Sequence, residues 1–171
     1  MNMKVTSAQA NKMLKKVMEE YEALKLRESQ TKDFLASINE NPDSIRPKYD
    51  FLATQEALES FEKKIRKMKH AINVFNSTTV VEGFGITVDE MLILIPQLTK
   101  AKAKLSEMKA RLPKMREKPT GYMQNAVIDY RYINYDVEEA ERKYEEVSEA
   151  LSNAQLALDN VNSTIEFEFD F

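Results

Sequence analysis

The sequence predicts a mainly α protein. Four long helices form an antiparallel hairpin or bundle arrangement, with a small antiparallel β-sheet of two or three short strands at one end. Three observations predict this. Only three glycines and five prolines punctuate 171 residues, so the elements are few and long. Apolar residues recur at threes and fours over runs of twenty residues and more. The last seven residues, IEFEFDF, alternate strictly between apolar and acidic, as a half-buried strand does.

The first helix is expected over residues 7–39, with Ser7 as its N-cap. Its stripe runs through Ala10, Met13 or Leu14, Val17, Tyr21 and Leu24, then Leu35 and Ile38. The stripe weakens between Arg27 and Asp33, where a kink or a partner contact fits. NPDSIRP (residues 41–47) is a loop, because prolines bias the residues before them away from helix. The second helix is expected over 49–75, through Leu52, Leu58, Phe61, Ile65, Met68, Ile72 and Phe75.

The β-branched run at residues 78–81 reads as a strand, and the following Glu82-Gly83-Phe84-Gly85 as a turn. Thr87 with Glu90 three residues on is a capping box opening a third helix, over 88–112. Pro96 lies inside it and is expected to kink the helix without stopping it, since the stripe continues in phase. Residues 113–122, PKMREKPTGY, form a loop carrying Lys114, Arg116 and Lys118. Residues 126–133 alternate as a strand, with Ile128, Tyr130 and Tyr132 on one face. Asp136, with Glu139 three residues later, caps a last helix over 137–162. The terminal strand, 165–171, is expected to pair with 126–133, Arg131 facing Glu168. One domain over 1–171 is the expectation.

Composition excludes several classes. With 43% hydrophobic and 31% charged residues, wholesale disorder is excluded. No cysteine is present, so disulfides and thiolate chemistry are excluded. No apolar run reaches the ~20 residues of a membrane span, and MNMKVTSAQANK lacks the apolar centre of a signal peptide. A cytoplasmic protein without membrane partners is expected. The net charge of −3 hides segregation. Residues 63–118 carry thirteen basic against five acidic side chains, while residues 119–171 carry three against twelve. Such segregation usually means that the basic middle meets either the acidic end or an anionic ligand; solvated helix faces are the alternative.

No catalytic motif is specific. The glycines match neither a phosphate loop nor a dinucleotide fingerprint, and His70 has no metal-ligand or triad context. Neither metal nor cofactor is expected. Within the second helix, Arg66, His70, Asn73 and Ser77 fall on one face, an arrangement that suits a phosphate or a polar heterocycle. Termination of the helix by Asn73, Asn76 and Ser77 is the alternative reading.

Several linked motifs carry a family resemblance. They are HAINVFNSTT (from His70), ITVDEMLILIPQL (from Ile86), the proline–arginine loop, the strand leading into INYDVEE (from Ile133), and QLALDNVNSTIEFEF (from Gln155). Together these resemble the septicolysin-like proteins, small and mostly helical bacterial and phage proteins of unknown function. The resemblance runs from about Tyr49 onward and implies no established chemistry. A pair of amphipathic hairpins of membrane-inserting length is missing, which disfavours pore formation. At the level of class alone, the chain is similar to phage proteins that sequester nucleotide immune signals.

The expected function is therefore non-enzymatic: an oligomer that captures a small anionic nucleotide-like ligand. Its site is expected where helix ends and strands cluster, drawing on Arg66, His70, Asn73, Asn76, Thr78, Arg116, Tyr130, Tyr132 and Asn134, within one subunit or across a subunit boundary. Arginines would hold phosphate, tyrosines would stack a base, and asparagines would read polar edges. A structural helical oligomer is the alternative, and a carboxylate-based nucleotide hydrolase the third reading. Nucleic acid is disfavoured by the long acidic last helix.

Overall fold

The computed structural model describes residues 2–117 and 128–170. Among them, the order is β1 (Asn2–Thr6), α1 (Ser7–Thr31), α2 (Pro42–Ile45), α3 (Phe51–Thr78), α4 (Val88–Lys109), β2 (Lys114–Arg116), β3 (Tyr130–Tyr132), α5 (Val137–Thr164) and β4 (Glu166–Asp170). The protein is mainly helical, as predicted. The strands form two separate two-stranded antiparallel ribbons, β1–β4 and β2–β3. The chain divides into two compact units: Met1–Thr79 with Asp159–Phe171, and Val80–Leu158.

In the first unit α1 and α3 run antiparallel. Tyr21 donates to Glu62 at 2.8 Å, and Tyr49 and Gln55 both donate to Glu28, at 2.9 and 2.6 Å. Those pairings put each step up α1 opposite a step down α3. At the ribbon end of this hairpin, Val5, Ala10, Val17, Met68, Ile72 and Phe169 make one core. Half-buried Met13, Leu14, Phe61, Ile65 and Phe167 pack around it.

The terminal strand finds a partner different from the one expected. Its register pairs Val5 with Phe167, Met3 with Phe169, and Lys4 with Glu168. Lys4, and not Arg131, faces Glu168. The alternation that lays Phe167 and Phe169 on one face of β4 has its counterpart in Met3 and Val5, so both strands contribute apolar side chains to the same face. The first cap also moves by one residue. Thr6 is the N-cap of α1, its hydroxyl accepting from Gln9 N–H while Gln9 accepts from Thr6 N–H. Ser7 is buried at the first helical position.

α1 ends at Thr31, eight residues before the expected end. The hydroxyls of Ser29 and Thr31 bond back to the carbonyls of Leu26 and Arg27, at 2.7 and 2.8 Å, competing with the helix ladder in the last turn. Leu35 and Ile38 keep helical spacing but are 97% and 99% exposed, so no burial supports further helix. α3 starts where the Asp50 carboxylate accepts from Ala53 N–H at 3.0 Å. It runs three residues past the expected end, so Asn73 and Asn76 lie within the helix and do not terminate it. The predicted strand at 78–81 shrinks to a single bridge, Val80 to Thr87, because Thr78 stays helical with its hydroxyl on the Val74 carbonyl.

In the second unit, the turn after that bridge needs its glycines: Gly83 and Gly85 hold φ of 83° and 67°. Thr87 opens α4 as predicted, with the Glu90 carboxylate accepting from its backbone N–H at 2.8 Å and from its hydroxyl. Those two bonds hold the Glu90 carboxyl below the usual range, the backbone bond contributing most. α4 runs through Pro96 to Lys109. Leu112, expected in the helix, lies beyond its end and is exposed. Asp136 accepts from Glu138 N–H at 2.8 Å and starts α5, whose residues 137–158 belong to this unit. The Lys109 ammonium ties α4 to α5, lying 3.7 Å from Glu141 and 4.2 Å from the ring centre of Tyr144. Ala126, Val127 and Phe171 of the predicted strands, and residues 118–122 of the predicted basic loop, lie outside the described residues.

Candidate functional site

The nine residues expected at one site fall into two groups, one in each unit. Arg66, His70, Asn73, Asn76 and Thr78 lie along α3 in the first unit. Arg116, Tyr130, Tyr132 and Asn134 lie on or beside the β2–β3 ribbon in the second.

The α3 group offers little to an anion. Arg66 borders an open groove whose other lining side chains include Glu56, Glu59 and Glu62. His70 and Asn73 are exposed, Asn76 is half-buried, and the Thr78 hydroxyl is engaged by the Val74 carbonyl. Among the described residues no cluster of three or more His, Cys, Asp or Glu side chains could hold a metal ion.

The ribbon group is better placed. β2 and β3 pair Lys114 with Tyr132, Met115 with Arg131, and Arg116 with Tyr130. Alternation puts Lys114, Arg116, Tyr130 and Tyr132 on one face and Met115 and Arg131 on the other. The Lys114 ammonium sits 4.2 Å from the Tyr130 ring centre and 5.4 Å from that of Tyr132. A cation held over both rings lowers the repulsion a phosphate would meet there, and occupies the surface on which a base would stack.

At the root of the ribbon lies a concavity of about 770 Å³. Arg111, Leu112, Met115, Arg131, Tyr132 and Asn134 supply its polar and apolar lining, with Ala110, Ile133 and Tyr135 completing the wall. That volume is in the range of small-molecule sites, roughly 300–1,000 Å³. Its geometry follows from local structure. α4 ends at Lys109, and Pro113 forces the chain to turn and enter β2. The Tyr135 hydroxyl donates to the Met108 carbonyl at 2.8 Å, and Ile133 N–H donates to the Pro113 carbonyl at 3.3 Å. These bonds fasten the end of β3 to the end of α4 and hold the hollow open between them.

The electrostatics of the hollow rest on two arginines. Arg131 makes a two-pronged bond to Glu117, its Nε and one terminal nitrogen donating at 2.8 and 3.1 Å. The Arg131 guanidinium holds the Glu117 carboxyl below its ordinary range and is itself pushed up by that bond. Two of its five N–H groups are used, which leaves three for a ligand. Arg111 lines the same hollow, and among the described residues no ion pair engages it.

Of the nine predicted residues, the hollow therefore gathers Tyr132 and Asn134. Arg116 and Tyr130 stand beside it on the ribbon. Arg111 and Arg131 were not among the expected residues. The apolar spacing predicts helix through Arg111, but α4 ends two residues before it, and alternation predicts Glu168 opposite Arg131, which instead engages Glu117.

No family model matches the chain, and no curated protein matches it. The crystal structure of a functionally unknown conserved protein from Corynebacterium diphtheriae has a similar fold, with a TM-score of 0.61 at 16% sequence identity. The match covers 96% of this chain and 99% of that one. At that identity it speaks for the fold alone.

Proposed function

We propose that the protein binds a small anionic, nucleotide-like molecule in the hollow at the root of the β2–β3 ribbon and holds it without turnover. One observation carries this reading: Arg111 and Arg131 border a single hollow of about 770 Å³ together with Tyr132 and Asn134. Guanidinium groups bind phosphate through paired, charge-assisted hydrogen bonds. Leu112, Met115 and Ile133 supply the apolar wall that a base or ribose needs. Sequestration of a nucleotide immune signal is the biological role that fits such holding without chemistry.

A thermal-shift panel of mononucleotides, dinucleotides and cyclic nucleotides tests the reading. A ligand present at a hundred times its Kd adds about 2.7 kcal/mol of stability. For a chain of this size that raises the midpoint by roughly 5–10 °C. The absence of any shift at millimolar ligand overturns the binding claim. A new product in the same mixtures, seen by chromatography, overturns the claim that the ligand is held unchanged.

A further inference from the structure

We propose that the free end of the α1–α3 hairpin is a self-association surface, occupied by the same end of a second copy of this chain. The inference is independent of the ligand reading and concerns the first unit alone.

The core of the hairpin is one-sided. Its buried apolar residues lie at the ribbon end, in residues 5–17 and 68–75 and in the end of α5 and β4. From residue 18 to residue 67 no side chain is buried. That stretch is held by half-buried side chains such as Phe61 and Ile65 nearest the core, and farther out by polar contacts, Tyr21 to Glu62 and Tyr49 and Gln55 to Glu28. Two helices alone bury one stripe each, and here the stripe is left half covered.

Large apolar side chains accumulate at the same end. Leu35 and Ile38 are 97% and 99% exposed, Leu52 70%, Phe51 60%, Leu26 59% and Ile45 41%. The antiparallel pairing of α1 with α3 brings Leu26 to the end of the hairpin where Phe51 and Leu52 begin α3. The other three lie in the connection between the helices. At roughly 100 Å² of apolar surface for each fully exposed side chain, the six offer on the order of 400–500 Å². A stable interface covers about 800 Å² per partner, and in homodimers about 65% of that is apolar, roughly 500 Å². The end of the hairpin therefore supplies about the apolar area that one side of a homodimer requires.

Charge favours a second copy over a membrane. Between residues 32 and 50, Lys32, Arg46 and Lys48 are interleaved with Asp33, Glu40, Asp43 and Asp50. An anionic bilayer is not attracted to a segment of net charge −1. A two-fold contact makes each pairing across the rim twice, residue i on residue j and j on i, so the opposite signs of this mixed rim can pair around an apolar centre.

Sedimentation equilibrium on the full chain, with Leu35→Asp/Ile38→Asp as the comparison, tests this. The wild type is expected at twice the 19.8 kDa chain mass. The double variant, changed only at side chains that are solvent-exposed in the single chain, is expected to be folded by circular dichroism and to dissociate ~100-fold more readily. Because the chain has no cysteine, Ile38→Cys gives a second readout: oxidation should yield a disulfide-linked dimer, whereas Lys104→Cys should not. A monomeric wild type overturns the proposal, and so does a double variant that dimerises as well as the wild type. Wild-type monomer that co-sediments with phosphatidylcholine or phosphatidylserine vesicles overturns it in favour of a lipid surface. Ligand-induced thermal shifts should be the same in the double variant, so failure here leaves the nucleotide reading to its own test.

Discussion

Replacing Phe169 with alanine is expected to lower the free energy of unfolding by about 3–5 kcal/mol, the range for deleting a buried aromatic side chain. Phe169 is fully buried in the first unit's core. Its ring meets Phe167 edge-on at 5.9 Å, and Phe167 stacks on Phe75 at 4.6 Å. The loss therefore combines the transfer free energy of a large apolar group, a cavity between β4 and the helix pair, and one aromatic contact, to Phe167, of about 0.5–1.5 kcal/mol. Urea unfolding of the variant measures it. Leu156→Ala, at a side chain 66% exposed on α5, should stay within about 0.5 kcal/mol of the wild type. A Phe169→Ala variant as stable as Leu156→Ala would mean that β1–β4 is not part of the core.

The second large effect is on binding. Arg111→Ala combined with Arg131→Ala should weaken binding of the nucleotide-like ligand by roughly 100- to 10,000-fold, because each removes a charge-assisted contact of about 1.5–3 kcal/mol. Both side chains are exposed, so the melting temperature without ligand should hardly move. Glu117→Gln separates the two arginines. It removes the carboxylate that engages Arg131, and should leave affinity unchanged or higher. Isothermal titration calorimetry reads both variants.

Helices were legible in the sequence where packing supports them. The stripes of α3, α4 and α5 follow from their apolar spacing, and the Thr87–Glu90 cap from two residues. Leu35 and Ile38 show where spacing misleads. They continue the α1 rhythm, but a helix forms only if its face is covered, and in the single chain nothing covers it. Thr78–Val81 shows the opposite case, in which β-branched residues are carried into helix by the ladder before them. β4 was legible from four alternating residues and three acidic ones. Its partner was not, because Met3 and Val5 are only two apolar residues in a five-residue strand, too short to distinguish by pattern. Strand pairing is a long-range choice, and local alternation in 126–133 looked equally suitable.

The candidate site was legible only in part for the same reason. Tyr132 and Asn134 follow from their place on β3 and just beyond it. Arg111 depends on where α4 stops, and helix ends are the least determined feature of a periodic pattern. Arg131 depends on which strand lies opposite. The α3 face of Arg66, His70 and Asn73 is real as helical geometry, yet the groove beside Arg66 is lined by three glutamates against one further cation, Lys63, and nothing in the spacing of α3 announces that. Neither the two arginines nor their shared hollow could be read without knowing that β2 exists.

The most direct test of the account is amide chemical-shift mapping of the full chain during titration with whichever nucleotide gives the largest thermal shift. The account predicts saturable perturbations at Arg111, Leu112, Met115 and Arg131–Tyr135, with none along Arg66–Thr78 of α3. Perturbations confined to α3, or no saturable change at the root of the ribbon, would contradict it.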